Sequence, residues 1–149
     1  MKPPSPPAAA PDEVALLRRA RQVRSSAYAP YSGFRVGAVV LTEDGRMFEG
    51  VNVENASYRL TTCAEQAAVA AMVTTGVRST ITAVAIVGDG ADPCTPCGGC
   101  RQTLLEFGPG ASVYASGDAG RPLISTVREL LPHGFGAMRL AQGRQGEGS

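Results

Sequence analysis

The run ITAVAIVG at residues 81–88 constrains the fold more than any other stretch of this chain. Only Thr82 interrupts its apolar character, which is typical of a strand buried on both faces. Such a strand needs covering layers, so the run predicts a sheet covered by helices. The chain has 149 residues, which suffice for one domain with a sizeable core but not comfortably for two.

The segments around this strand supply the covering elements. Helical patterns occupy residues 12–28, 63–76, 98–107 and 126–131. Further β-rich runs occupy residues 34–42, 46–53 and 111–116, and the turn EDG joins the first two as a hairpin. The resulting order, α-β-β-α-β-α-β-(α), predicts a single α/β domain with a mixed sheet.

Both ends of the chain differ in composition from the centre. Prolines and alanines at residues 1–11 predict a flexible leader without the apolar core of a signal peptide, and the glycine-rich residues 141–149 predict a flexible tail. The domain is therefore placed at residues 12–140. Fourteen Lys and Arg against thirteen Asp and Glu disfavour a nucleic-acid partner, and no apolar run is long enough to span a membrane. We expect a soluble, cytoplasmic protein.

The four cysteines point to a metal site. Cys94, Cys97 and Cys100 stand three residues apart, and Pro96 marks the start of a predicted helix at Cys97. Cys97 and Cys100 then share the first turn, where the helix dipole favours the thiolate that binds metal. Cys63 opens another predicted helix and is the best candidate for a third ligand. Three sulfurs would leave one position of a tetrahedral zinc open, as in catalytic sites.

Glu65 has two interpretations. It lies two residues after Cys63, where a carboxylate near zinc would act as general base. Alternatively, Thr62 and Glu65 fit the T-x-x-E capping box, in which the glutamate only caps the helix. The residues alone do not decide between these roles.

Five sequence blocks, in order, resemble the small zinc-dependent cytidine deaminases of pyrimidine salvage. The blocks are AYAPYSGFRVGA, GVNVENASY, TTCAEQ, PCGGCRQ and ELLPHGF, which together cover about residues 27–135. The resemblance implies a three-layer α/β/α sandwich with a mixed central sheet of about five strands. It also implies hydrolytic deamination of cytidine and deoxycytidine, one Zn²⁺ per subunit and a small nucleoside substrate.

The resemblance further implies roles for individual residues. The zinc ligands are Cys63, Cys97 and Cys100, the proton-shuttling glutamate is Glu65, and Cys94 matches no ligand. Asn52 and Glu54 match the pair that binds the ribose hydroxyls. Phe34 matches an aromatic residue that packs against the pyrimidine ring, and the backbone of Ala64 is expected to contact the base.

Two further expectations concern the assembly and the metal. The family's short members are homotetramers, which implies that Phe135 contributes to a neighbour's site in trans, with Tyr58 near the same border; packing in its own subunit is the alternative for Phe135. Such deaminases often carry an arginine after CAE, where this chain has Gln66. Gln66 and Arg101 are therefore expected to tune the zinc site, which carries a formal charge of −1 with three thiolates.

Three alternatives remain open at this point. A structural zinc site would be closed by a fourth ligand such as Cys94, and a redox dithiol would use Cys94 with Cys97, or Cys97 with Cys100. A third possibility is a deaminase of another aminopyrimidine, such as a nucleoside antibiotic or a base in nucleic acid.

Overall fold

The computed structural model describes residues 11–145, with side chains through residue 142. Its centre is a five-stranded sheet in the order β2-β1-β3-β4-β5. The strands are β1 Val36–Thr42, β2 Met47–Val51, β3 Ile81–Gly88, β4 Ser112–Ser116 and β5 Leu123–Thr126. The β3–β4 pair is parallel and the other pairs are antiparallel. The predicted mixed sheet of about five strands is confirmed.

Helices cover both faces of this sheet. They are α1 Glu13–Val23, α2 Ala64–Thr74, α3 Gly98–Phe107 and α4 Val127–Leu130; a further helix, α5 Ala137–Gln145, is exposed at residues 137–142. One core cluster joins Leu16 and Ala20 of α1 to Val39 of β1, and the other joins α2 and α3 to the opposite face. Every residue of β3 except Thr82 is buried, as the apolar run predicted. The architecture is a three-layer α/β/α sandwich.

Two glycines allow helices to rest directly on the sheet. A Cβ at Gly37 would lie 2.2 Å from the carbonyl oxygen of Ala20 in α1. On the other face, a Cβ at Gly50 would lie 2.2 Å from the carbonyl oxygen of Ala64 and 2.3 Å from the nitrogen of Ala68, both in α2. These contacts are with backbone atoms, so the absence of a side chain sets the distance between each helix and its strand.

The boundaries differ from the predicted ones in three places. Helix α1 gives way to a 3₁₀ turn at Arg24–Ser26, short of the predicted residue 28, and Ser25 Oγ there bonds the carbonyl of Gln22. Strand β5 was not predicted, because it is a short edge strand without alternating burial. Helix α5 runs past the predicted domain end at residue 140, because AMRLAQ is rich in helix-forming residues.

The remaining parts of the predicted leader and tail, residues 1–10 and 146–149, lie outside the described residues. Among the helices of residues 11–145, none combines the length and the apolar character that crossing a bilayer requires.

Candidate active site

Two helix N-termini bring three cysteines together. Cys63 is the N-cap residue of α2, Cys97 is the N-cap residue of α3, and Cys100 lies buried in the first turn of α3. Their Sγ atoms all lie within 4.8 Å of one another, and the Sγ atoms of Cys63 and Cys97 are 3.8 Å apart. The predicted three-sulfur cluster is therefore present in the structure.

This cluster fits a tetrahedral zinc ion. Zn–S bonds of about 2.3 Å at tetrahedral angles place two sulfurs about 3.8 Å apart, which matches the Cys63–Cys97 distance. A hydrogen bond from the Cys100 thiol lowers the pKa of Cys63 to about 6 and raises that of Cys100. Cys63 therefore loses its proton before Cys100. The donor set has three sulfurs, so a zinc held here keeps one coordination position for a non-protein ligand.

Cys94 does not belong to the cluster. A Cβ built on Gly88 would meet Cys94 Sγ at 2.9 Å and the ring of Phe34 at 3.0 Å, so Cys94 packs at the end of β3 beside that aromatic residue. Burial is the main factor that raises the pKa of its thiol to about 11. This position supports neither the closed zinc site with Cys94 as fourth ligand nor a dithiol in which Cys94 attacks as a thiolate.

Glu65 is buried beside the sulfur cluster. It is the second residue of α2 and is only 4% exposed. Burial raises the pKa of its carboxyl group, and the negative charge of Cys63 raises it further. The capping interpretation is wrong, because the N-cap residue is Cys63 rather than Thr62 and α2 has no side-chain cap bond.

A true capping box shows what Glu65 does not do. At the start of α4, the Thr126 side chain accepts from the backbone N–H of Glu129, and the Glu129 side chain accepts from the backbone N–H of Thr126. Thr62 and Glu65 have the same sequence spacing, but the helix start is shifted by one residue. The carboxyl group of Glu65 instead shares a hydrogen bond with the Cys100 thiol.

The segment that carries Phe34 is held by two side chains. Asn52 accepts from the backbone N–H of Val36 and donates to the carbonyl of Phe34, both at 2.8 Å. Asp89 accepts from the backbone N–H of Arg35 at 2.9 Å and from its Nε at 3.0 Å, and the bond from the Arg35 side chain is the largest cause that lowers the pKa of Asp89. Phe34 itself remains 42% exposed.

Glu54 lies in a pocket of about 260 Å³. The lining residues are Tyr31, Ser32, Glu54, Asn55, Tyr58 and Thr61. Glu54 Oε2 accepts from the backbone N–H groups of Tyr31 and Ser32 at 2.8 and 3.1 Å, and the Ser32 hydroxyl donates to Oε1. These bonds, with the Ser32 side chain first, lower the pKa of Glu54. Asn52 does not line this pocket, although sequence reasoning paired it with Glu54.

The other predicted residues occupy distinct places. Ala64 is buried at the start of α2, whereas Tyr58 is 76% exposed at the pocket and Phe135 is 58% exposed elsewhere. Gln66 Nε2 lies 3.6 Å from the point where a Gly99 Cβ would stand, close to the Cys97 end of α3. Arg101 directs Nε and Nη1 to the carbonyls of Pro96 and Leu130.

Sequence reasoning missed Ser32 and Asp89. Both act on the backbone or on a neighbouring carboxylate, at separations of 22 residues for Ser32–Glu54 and 54 for Arg35–Asp89. A short motif cannot encode contacts at such distances. The GFR sequence around Phe34 does not indicate that Arg35 pairs with Asp89.

Comparison with known proteins adds a family likeness. The sequence model of the cytidine and deoxycytidylate deaminase zinc-binding region matches residues 11–116. Cytidine deaminase of Halalkalibacterium halodurans is 44% identical over 127 residues, which cover 85% of this chain and 96% of that protein. Cytidine deaminase of Mycobacterium tuberculosis is 43% identical over 130 residues, which cover 87% and 94%.

The fold also resembles that of solved cytidine deaminases. The crystal structure of cytidine deaminase from Burkholderia pseudomallei aligns with a TM-score of 0.79 at 43% sequence identity. The alignment covers 82% of this chain and 98% of that chain. The predicted site residues, with the exception of Phe135, all fall within residues 11–116, which the zinc-binding model matches.

Proposed function

Because this chain belongs to the cytidine deaminase family, we propose that it catalyses the hydrolytic deamination of cytidine and deoxycytidine. Water replaces the 4-amino group, ammonia leaves, and uridine or deoxyuridine remains. The observation that carries this proposal is the buried carboxyl group of Glu65 beside three clustered sulfurs at two helix N-termini. Cys63, Cys97 and Cys100 would hold the zinc. When bound there, zinc lowers the pKa of water towards neutrality and so supplies a nucleophile.

Glu65 would move the protons of the reaction. Its carboxylate takes one proton from water and passes it to N3 of the pyrimidine; it then takes the proton of the new C4 hydroxyl group and gives it to the departing 4-amino group. One carboxyl group can serve these steps because each proton moves within hydrogen-bond reach of the same place. Burial keeps competing bulk water away from Glu65 and raises the pKa of its carboxyl group.

The remaining residues would bind the nucleoside. Phe34 packs against the pyrimidine ring, and the backbone of Ala64 contacts the base. Glu54 accepts hydrogen bonds from the ribose hydroxyls, and its fixed carboxylate in the 260 Å³ pocket supports this role. Asn52 uses one donor and one acceptor on the Phe34 segment, so its second amide hydrogen and lone pair remain for the sugar.

We also propose that the chain forms a homotetramer that works in the cytoplasm. Tyr58 and Phe135 are large apolar side chains with exposed fractions of 76% and 58%, which a neighbouring copy would cover. The Phe135 ring would then enter a neighbour's site in trans. A cytoplasmic location fits the site, because its three cysteines must stay reduced to bind zinc.

The test is ammonia release from a panel of aminopyrimidine nucleosides by the zinc-loaded protein. The panel contains cytidine, deoxycytidine, an aminopyrimidine nucleoside antibiotic and a cytosine-containing single-stranded oligonucleotide. We expect release from cytidine and deoxycytidine. Release from the antibiotic alone, from the oligonucleotide alone or from no compound would reject the proposed function.

The variant Glu65→Gln assigns the proton transfers. It should keep zinc and fold but lower kcat by about 10²–10⁴-fold, because an amide cannot carry protons. Glu106→Gln is the matched control, since Glu106 is exposed on α3 and lies outside the sulfur cluster. Equal kcat for both variants would remove Glu65 from the mechanism.

A further inference from the structure

The side chain of Arg101 bridges two backbone carbonyls from distant parts of the chain. Its Nε donates to the Pro96 carbonyl at 2.8 Å and its Nη1 donates to the Leu130 carbonyl at 3.1 Å. Pro96 directly precedes the ligand Cys97, whereas Leu130 is the last residue of α4. A single half-buried guanidinium thus connects the zinc-binding turn to the end of another helix.

Arg101 also reaches Cys97 through its own backbone. Its N–H donates to the Cys97 carbonyl at 2.9 Å, which is the bond that starts α3. The Pro96 carbonyl and the Cys97 carbonyl, on the two sides of the Cys97 nitrogen and Cα, therefore both accept from Arg101. These bonds fix the direction in which the Cys97 side chain leaves the backbone, although the chain before α3 has no regular structure from residue 89 to residue 97.

We propose that Arg101 is a positioning residue that holds Cys97 Sγ in place by tying the Pro96 carbonyl to the end of α4. This inference rests on the proposed zinc site. The planar guanidinium suits the task because its rigid fork directs two N–H groups to separate acceptors, which a lysine ammonium on a flexible stem does not do. Outer partners of this kind typically change metal affinity by about 10–100-fold when they are removed.

The same face of α3 holds the segment that carries Phe135. Gln102 Nε2 donates to the Phe135 carbonyl at 2.6 Å. Gly134 packs so tightly that a Cβ there would lie 2.4 Å from Leu105 Cδ2. Arg101, Gln102 and Leu105 therefore anchor residues 130–135 on the helix whose first turn carries two zinc ligands. Loss of the Arg101 bond at Leu130 should loosen the near end of that segment.

The experiment measures how fast zinc-loaded protein transfers its metal to a competing chelator, without substrate. Arg101→Ala should release zinc about 10-fold faster than the original chain, and Arg101→Lys should lie between the two. The matched control is Arg78→Ala. Arg78 Nη1 also donates to two backbone carbonyls, those of Val73 and Val77. Arg78 follows the C-terminal end of α2, whereas Cys63 caps the N-terminal end. Loss of the Arg78 side chain should leave the rate of zinc release unchanged.

The outcomes separate positioning from general stability. Faster release from Arg101→Ala and Arg101→Lys but not from Arg78→Ala supports the proposal. Unchanged release from a folded Arg101→Ala, or equal acceleration by Arg78→Ala, overturns it. If Arg101→Ala does not fold, Arg101→Lys decides, because it retains the charge but not the fork. A chain that binds zinc tightly but deaminates no nucleoside would reject the proposed function and leave this inference standing.

Discussion

Replacing Gly50 by alanine should damage the site from the opposite side of a helix. The new Cβ would lie 2.2 Å from the Ala64 carbonyl oxygen and 2.3 Å from the Ala68 nitrogen. Ordinary contact distances require α2 to withdraw by about 1 Å. Backbone atoms cannot rotate aside as a flexible side chain would, so the whole first turn of α2 must move.

That first turn carries two groups of the proposed site. Cys63 and Glu65 flank Ala64, so a withdrawal of about 1 Å displaces the proposed zinc ligand Cys63 and the carboxyl group proposed to carry protons together. Misplacement of this size can lower the rate by about 10²-fold. Overpacking of this kind typically lowers the free energy of unfolding by about 1–3 kcal/mol. We therefore expect Gly50→Ala to remain folded, to lose zinc more readily and to have a kcat about 10²-fold lower.

Two control variants isolate the cause. Gly110→Ala places a Cβ in open space and should change neither stability nor kcat. Gly37→Ala creates an equal clash, 2.2 Å from the Ala20 carbonyl, but against α1, which carries no zinc ligand. It should lower stability and leave zinc retention unchanged. The assays are chemical denaturation, zinc content after dialysis and steady-state ammonia release.

A folded Gly50→Ala with normal zinc content and normal kcat would refute this reasoning. It would show that α2 can withdraw without moving its N-terminal residues, or that β2 yields instead. Loss of zinc from Gly37→Ala to the same degree would also refute it, because the effect would then reflect overall stability rather than the position of α2.

Three further predictions concern the cysteines, the assembly and the metal charge. Cys97→Ser should lose zinc and activity together, whereas Cys94→Ser should keep both. Metal analysis checks this, and an equal loss of zinc from the two variants would contradict the ligand assignment. Phe135→Ala should raise KM and weaken the oligomer without unfolding the subunit, as sedimentation and kinetics would show; unchanged values for both would leave Phe135 as a surface residue. Gln66→Arg should slow zinc transfer to a chelator, because a guanidinium offsets the negative charge of three thiolates, and faster transfer would exclude this role for the position.

Some elements were predictable because their signals are local. Strand β3 was predicted from its apolar run, and helix α3 was predicted to begin within the PCGGC motif. Both elements have the predicted bounds in the structure. Helix α3 was located by Pro96, which suits a helix entrance and predicted that Cys97 and Cys100 share the first turn. The first turn of α2 was harder, since Thr62 and Glu65 imitate a capping box. Only the position of the N-cap residue resolved that ambiguity.

Other features could not be predicted, for a physical reason. Arg101, Asn52 and Gln102 all bond backbone carbonyls, and a carbonyl is present at every residue whatever its side chain. The acceptor therefore leaves no trace in the sequence, and the partner can be identified only when the fold is known. The resemblance assigned Asn52 to the ribose hydroxyls but did not show that its amide supports the Phe34 segment.

The separation of the zinc ligands along the chain affects how the metal binds. Cys63 and Cys97 lie 34 residues apart, with β3 between them. Closing a loop of that length costs about 3 kcal/mol of chain entropy. Here the pairing of β3 with β1 and β4, and the packing of α2 and α3 in one core, close this loop. Zinc therefore does not have to organise the chain, as it does in a zinc finger. We therefore expect that the ion can be loaded or withdrawn after folding is complete.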